Sequence, residues 1–242
     1  MSEYILDVRN ATKRFGGLMA NQNISFNVKY GEIVGVVGPN GAGKTTLFNS
    51  ISGEHSLTSG EIIFDGQDVT KMKAHQICKL GVGRTFQIPK SLDAMTVLEN
   101  VLVGALCRTD DMNEARDKAR EVAELCGLSK YIDELVGSMN VIQKKRIEIA
   151  RALATEPKLI LLDETMAGLT NAERKEAVAL IRKINAQGIA VLTIEHVMDV
   201  VMTVSNRVVV IQSGKLLMEG TPEEVTSNEE VINAYLGGGS HA

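Results

Sequence analysis

The sequence predicts an α/β fold: a mixed sheet core, an antiparallel β-rich edge and an inserted block of helices. Three observations lead there. The apolar run Ile33-Val34-Gly35-Val36-Val37 reads as a buried strand, and a glycine-rich loop carries it into a helix over residues 45–52. Residues 159–162 and 189–194 read as two further apolar strands, separated by a helix over 171–187 that Gly188 closes. Between these alternating halves, from about residue 88 to 153, strand signals give way to helical periodicity.

The elements follow in order. Residues 4–8 alternate, and Ile24, Phe26 and Val28 recur at period two before the Tyr30-Gly31 turn, as antiparallel strands do. Gly53 ends the first helix. Residues 61–64 and 67–69 flank Asp65-Gly66, the dipeptide that favours a tight hairpin turn. Thr96 and Glu99 form a capping box for a helix running through Val103, and 111–126 is a charged amphipathic helix closed by Gly127. Further helices are expected to open near Tyr131 and Val141. Residues 207–211, the Ser213-Gly214 turn and 215–218 make a last hairpin. Thr221 then caps a helix with Pro222 in its first turn and Glu223 and Glu224 where the dipole favours acids. No internal repeat is visible, so one domain over 1–242 is expected, with a core from about 1–87 and 154–242 and a helical subdomain from about 88–153. The terminal stretch 237–242, Gly-Gly-Gly-Ser-His-Ala, is assigned no function.

Composition narrows the class. With 242 residues, 44% of them hydrophobic, the chain can bury a substantial core. A net charge of -4 leaves no basic excess for a phosphate backbone, which argues against nucleic acid as a partner. Cys78, Cys107 and Cys126 form no CxxC pair and read as buried, reduced thiols. No apolar run approaches the ~20 residues a membrane helix needs, the longest near-continuous one being 101–107. The first ten residues lack the basic start and apolar core of a signal peptide. A soluble, cytoplasmic chain is expected, unless a partner holds it elsewhere.

Gly38-Pro39-Asn40-Gly41-Ala42-Gly43-Lys44-Thr45-Thr46 fits the phosphate-binding pattern G-x-x-x-x-G-K-[ST] without a mismatch. Gly38, Gly41 and Gly43 let the backbone wrap closely and turn its N–H groups on phosphate. Lys44 supplies charge for the β- and γ-phosphates, the Thr45 hydroxyl suits Mg²⁺, and Thr46 extends the grip to the α-phosphate. This points to a nucleoside triphosphate as ligand. At the other half, strand residues 159–162 run into Asp163 and Glu164, two carboxylates at the strand end where open α/β sheets bind ligands. Asp163 is placed to hold Mg²⁺ through water, and Glu164 to orient or deprotonate the water that attacks the γ-phosphate.

With both halves in view, the chain resembles the ATP-binding cassette subunit of an ABC transporter over essentially its full length. That implies a P-loop NTPase fold of the ABC ATPase type, with ATP and Mg²⁺ bound. Val82-Gly83-Arg84-Thr85-Phe86-Gln87 resembles the family's Q-loop, in which Gln87 would contact Mg²⁺ and the attacking water. In Thr193-Ile194-Glu195-His196, His196 resembles the switch histidine that reads the γ-phosphate. His55, His75 and His241 have no such context. Phe15, in Thr12-Lys13-Arg14-Phe15-Gly16-Gly17, falls where the family places an aromatic against adenine.

The signature helix departs from the family. Aligned on residues 145–153, Met139-Asn140-Val141-Ile142-Gln143 stands in place of the usual LSGGQ, without its Ser or either Gly. Asn140 can still cap the helix, but Val141 and Ile142 add side chains where close backbone approach is wanted. Thr165 and Thr170 likewise replace the usual Pro and acid or amide after the carboxylate pair. The altered signature reads either as tolerated drift or as the mark of an asymmetric pair, in which this chain joins a second cassette subunit bearing an intact signature. Residues 83–87, 95–101, 194–196, 220–224 and 234–237 resemble the branched-chain amino acid uptake branch, whose cassettes sit peripherally on the inner face of the membrane. The resemblance implies a transmembrane permease as direct partner and a substrate-binding protein as an indirect one. The alternatives are a single-cassette ATPase of a non-transport assembly system, a regulatory nucleotide binder, and import of another small amide or amino acid.

Overall fold

The computed structural model describes residues 3–195 and 198–236. The strands are β1 (Tyr4–Phe15), β2 (Leu18–Lys29), β3 (Ile33–Val37), β4 (Ser59–Phe64), β5 (Gln67–Asp68), β6 (Val82–Arg84), β7 (Leu159–Asp163), β8 (Ala190–Ile194), β9 (Arg207–Gln212) and β10 (Lys215–Gly220). The helices are α1 (Lys44–Ile51), α2 (Ala74–Leu80), α3 (Val97–Ala105), α4 (Met112–Leu125), α5 (Val141–Leu153), α6 (Asn171–Asn185), α7 (Met198–Val204), α8 (Pro222–Ser227) and α9 (Glu229–Leu236).

Two sheets organise the chain. One has the order β10-β9-β3-β8-β7-β6, parallel throughout except for the β9–β10 hairpin; the other is antiparallel, in the order β2-β1-β4-β5. Every residue of β3, β7 and β8 is buried, as expected of parallel strands covered on both faces. Alternation assigns their side chains to two layers. Ile33, Ile160, Leu162 and Val191 pack with buried residues of α3, α4, α5 and α6. Val34, Val36, Leu159, Leu161, Leu192 and Ile194 face the opposite way, onto Leu47, Phe48 and Ile51 of α1 and the apolar face of the antiparallel sheet. Helix α1 is thus held between two sheets. Burying a residue such as Phe48 completely contributes about 1.5–3 kcal/mol, so the helix that follows the glycine-rich loop is firmly seated.

Local signals explain the element ends. Thr96 and Glu99 form the expected capping box on α3, Asp65 and Gly66 turn the β4–β5 hairpin, and Thr221 caps α8 with Pro222 following it. Near Tyr131 the structure departs from the expected helix: only short 3₁₀ turns form, at Ser129–Tyr131 and Val136–Ser138. The 3₁₀ turn satisfies the chain locally while Val97 N–H bonds Glu134 O and Leu98 N–H bonds Ile132 O, so this segment serves α3 and does not continue as a helix. Of the cysteines, Cys126 is buried as expected, whereas Cys78 and Cys107 are only partly covered. No helix among the described residues is long and apolar enough to cross a membrane.

Candidate active site

Parallel strands deliver their C-terminal ends to one edge of a sheet. Here β3, β8, β7 and β6 do so side by side, bringing together the loop at 38–46, Glu195, the Asp163-Glu164 pair and Gln87. A cleft of about 590 Å³ opens at that edge. Asn40, Gly41, Ala42, Gly43, Lys44, Thr45 and Thr46 line it together with Gln87 and Glu164, and Leu18, Met19, Ala20, Ser213 and Gly214 complete its wall.

The loop is built from close approaches that a side chain would block. At Gly38 (φ +151°) a Cβ would lie 2.0 Å from Ile211 O, and at Gly43 (φ +100°) it would lie 2.3 Å from Ala20 O. Glycine is required at both places. Gly43 is also the N-cap of α1 and offers no side-chain cap, which leaves the first amides of the helix free to face an anion. Asn21 Nδ2 donates to Gly43 O at 3.0 Å and Gly214 N–H to Ala42 O at 3.0 Å, so β2 and the β9–β10 turn brace the loop from outside. Lys44 is buried, and its Nζ donates to Gly38 O at 2.7 Å and Pro39 O at 3.0 Å. Burial lowers its pKa, while the Glu164 and Asp163 carboxylates oppose that shift.

The carboxylates occupy different positions. Because alternate residues of β7 share a face, Asp163 follows Leu159 and Leu161 toward the α1 side. Arg84 lies beside it, donating to Asn49 Oδ1 and Ser52 Oγ at 2.5 Å each and standing 3.8 Å from Asp163 Oδ2. Desolvation lowers the Arg84 pKa and Asp163 counteracts it, so the buried pair balances charge directly behind the cleft. Glu164 adopts φ +50°, a left-handed conformation uncommon outside glycine. Its N–H bonds Ile194 O at 2.9 Å, its carbonyl accepts from Lys145 Nζ at 3.0 Å, and its carboxylate accepts from Gln87 Nε2 at 2.7 Å. The backbone is therefore held on both sides while the carboxylate meets Gln87 at the cleft.

Helix α5 holds the segment that carries Gln87. Glu148 accepts from Phe86 N–H at 3.2 Å and Lys90 N–H at 3.1 Å, and Arg151 donates to Lys90 O. Burial raises the Glu148 pKa against those hydrogen bonds. At the end of β8, Glu195 accepts from Thr165 Oγ1 and Met166 N–H at 3.1 Å each, and burial pushes it up to about 7. The Thr165 that replaces a proline thus ties the turn after Glu164 to the strand that leads to His196. His196 itself lies outside the described residues.

Two predicted positions stand apart from the cleft. Phe15 is 43% exposed, with Lys13 Nζ 4.8 Å from its ring centroid and the His55 ring edge-on at 5.4 Å. It does not line the cleft. Neither does any residue of 139–143. Asn140 caps α5, accepting from Gln143 N–H at 2.9 Å, while Gln143 Oε1 accepts from Asn140 N–H at 2.9 Å. Ile142 is partly buried against the helical core and Val141 is exposed. Thr170 caps α6 in the same way with Glu173, which accounts for a threonine there.

Arg84, Lys145, Glu148 and Glu195 were not predicted as site residues. Arg84 and Glu195 lay inside motifs already singled out, and Lys145 and Glu148 were visible as charges on the otherwise apolar side of α5; their partners are distant in sequence. Tyr235 of α9 is a further unpredicted neighbour. It lies beside the Gly38 backbone, and partial burial pushes its pKa up to about 12.

The geometry is that of a phosphate loop facing a carboxylate–glutamine pair, and residues 21–167 match the ABC transporter family model. The chain belongs to the ABC transporter family of ATP-binding cassettes. It is an ATP-hydrolysing domain of that family, and the two-sheet core and helices are the ABC ATPase form of the P-loop NTPase fold. Residues 215–241 of the cassette match a second model, the branched-chain amino acid ATP-binding cassette transporter. The cassette is 38% identical to the high-affinity branched-chain amino acid transport ATP-binding protein BraF of Pseudomonas aeruginosa, covering 98% of this chain and 99% of that one. It is equally similar, with the same coverage, to the protein of that description called LivG in Escherichia coli. Among solved structures, an ABC transporter cassette in its ADP conformation superposes with a TM-score of 0.88 at 32% identity, covering 98% of this chain and 100% of that one. The cassette cbiO1 of Clostridium perfringens superposes with a TM-score of 0.85 at 28% identity, covering 99% of this chain and 96% of that one.

Proposed function

We propose that this cassette is the ATP-hydrolysing motor of an importer for branched-chain or closely related amino acids, paired with a second cassette subunit and driving a transmembrane permease. The observation that carries the motor assignment is the Gln87–Glu164 contact of 2.7 Å at the rim of the phosphate-loop cleft. The match of residues 215–241 and the names of the full-length relatives support the substrate class.

In this reading the amides of the loop and of the α1 N-terminus bind the phosphates, and Lys44 exchanges its loop carbonyls for phosphate oxygens. Glu164 takes or orients the proton of the attacking water, Gln87 positions that water, and His196 reads the γ-phosphate. Phe15 lies outside the cleft lining but pairs with Leu18, which lines it, so its exposed ring is offered to a base that projects beyond the phosphates. Thr45, Gln87 and Asp163 offer oxygen donors only, the set a hard cation takes, and Asp163 stands behind the cleft lining at a position suited to contact through water. Bound there, Mg²⁺ would neutralise charge on the phosphates.

Residues 139–143 do not line the chain's own cleft, which suits contact with a nucleotide held by another subunit. Because Val141 and Ile142 replace the small residues expected there, the partner's site is the weaker of the two, and the competent one joins this phosphate loop to the partner's intact signature. Residues 88–153 act as the helical subdomain that links the Gln87 segment, through Glu148 and Arg151, to the permease. The assembly sits peripherally on the inner, cytoplasmic face of the cell membrane, and a substrate-binding protein supplies the cargo. The test is ATPase activity of the purified chain with and without the second cassette: low activity alone and strong activity together is expected. Strong, cooperative hydrolysis by the chain alone would overturn the asymmetric pairing.

A further inference from the structure

The turn that carries Glu164 is gripped from two sides by buried side chains of opposite charge type. Residues 164–167 leave β7 with Glu164 at φ +50°, a left-handed conformation that persists only where surrounding contacts hold it. The carbonyls of Glu164 and Ala167 accept from Lys145 Nζ, at 3.0 Å and 2.9 Å. The Thr165 hydroxyl and the Met166 N–H donate to one oxygen of Glu195, Oε1, at 3.1 Å each. The ammonium meets acceptors there and the carboxyl oxygen meets donors, so each grip is matched in polarity. A proline at 165, usual in the family, would bring no donor; the threonine supplies one of the two that Glu195 receives.

Both residues are buried and neither lines the phosphate-loop cleft. What they touch is the backbone on which the Glu164 carboxylate is mounted, 2.7 Å from Gln87 Nε2. Building on the role of Glu164 proposed above, we infer that Lys145 and Glu195 are positioning residues for hydrolysis: a two-sided clamp that fixes the turn after β7 so that the Glu164 carboxylate stays beside Gln87 and the attacking water. They act through Glu164 and not on the nucleotide.

Helix α5 takes part in both halves of that contact. Lys145 and Glu148 lie three residues apart on it, a spacing that puts them on one face. Through Glu148 the helix holds the Phe86 and Lys90 amides that flank Gln87, and through Lys145 it holds the carbonyls of the Glu164 turn. One rigid element therefore sets the distance between the glutamine and the carboxylate. Burial lowers the Lys145 pKa, and the Glu195, Glu164 and Glu148 carboxylates oppose that shift, favouring the charged ammonium that the two carbonyls need.

Steady-state ATPase of the assembled transporter, with variants in this subunit alone, tests the clamp. Lys145→Met and Glu195→Ala should each lower kcat by about 10- to 100-fold with little change in KM for ATP, since a misplaced reacting group costs rate and not ground-state binding. Glu195→Gln keeps an acceptor oxygen for Thr165 and Met166 and should hold kcat near the wild-type value. In a Glu164→Gln background, Lys145→Met and Glu195→Ala should cause no further loss, because nothing is left for them to position. Glu195→Asp, which withdraws the carboxylate by one methylene, serves as a second disruption if Glu195→Ala folds poorly. Wild-type kcat in Lys145→Met and Glu195→Ala, a raised KM at unchanged kcat, equal losses in Glu195→Gln and Glu195→Ala, or a full further loss in the Glu164→Gln background would each overturn the clamp. A wild-type rate in Glu164→Gln alone would instead remove Glu164 from its proposed role, so the two failures are read apart.

Discussion

Glu195→Gln should stabilise the nucleotide-free protein in mildly alkaline solution and leave it little changed in acid. The carboxyl is 2% exposed, and burial raises its pKa from the ordinary 4.5 to about 7, with Glu164 adding to the shift and Lys145 opposing it. Each pKa unit corresponds to ~1.4 kcal/mol, so holding this group ionised in the folded state costs about 3 kcal/mol relative to the unfolded chain. The folded-state pKa is the higher one. The protonated group's contribution is therefore fully present below 4.5 and is lost as pH rises through about 7. Gln does not titrate, and its Oε1 can still accept from Thr165 Oγ1 and Met166 N–H. The variant should match wild type near pH 4, below the ordinary 4.5, and exceed it by about 3 kcal/mol near pH 8, roughly 6–12 °C in Tm for a chain of this size. Urea unfolding of both proteins across that range, without nucleotide and at constant ionic strength, measures the difference directly. A difference that stays constant with pH, or a variant less stable at pH near 8, would refute the assignment of a buried, penalised carboxylate.

Three further outcomes are expected. Gly43→Ala should lower stability by at least ~1–3 kcal/mol and remove nucleotide binding, because its Cβ meets Ala20 O at 2.3 Å with φ at +100°; thermal unfolding and nucleotide titration check both. Lys44→Ala should retain the fold, since its Nζ bonds only loop carbonyls, yet lose nucleotide affinity by about 2–3 kcal/mol as measured by calorimetry. Glu148→Ala should free Phe86 and Lys90 amides and lower kcat by about tenfold or more with KM less affected, because Gln87 loses its support while the phosphate loop is untouched; steady-state ATPase of the assembled transporter tests this.

Local chemistry was the legible part of this chain. The phosphate loop, the apolar β3 and β7, the Asp65-Gly66 hairpin and the caps at Thr96 and Asn140 each depend on residues within a few positions of one another. Helix α2 was missed because it is short and its N-cap, Lys73, has no capping side chain of the Ser, Thr or Asp kind; only Gln76 Oε1 reaches back to accept from the Lys73 N–H. Strand β6, with three residues, is too short for periodicity to register, although the Gln87 motif that follows it was visible. The supports of the site were hidden for a different reason. Arg84 reaches Asn49, Glu148 reaches Phe86 and Lys90, and Glu195 reaches Thr165, contacts that exist only after the parallel strands have aligned their ends. The reading of Cys78 and Cys107 as buried thiols failed for a related reason: neither cysteine has a local motif, and packing at the ends of α2 and α3 leaves both partly exposed.

The central claim is that hydrolysis occurs at this chain's own phosphate loop and is carried out by Glu164. ATPase of the assembled transporter bearing Glu164→Gln in this subunit alone tests it most directly. ATP binding should persist while turnover falls by about 10²–10⁴-fold, the range removed with a general base. Turnover that continues at the wild-type rate would contradict the claim and move the hydrolysing site to the partner.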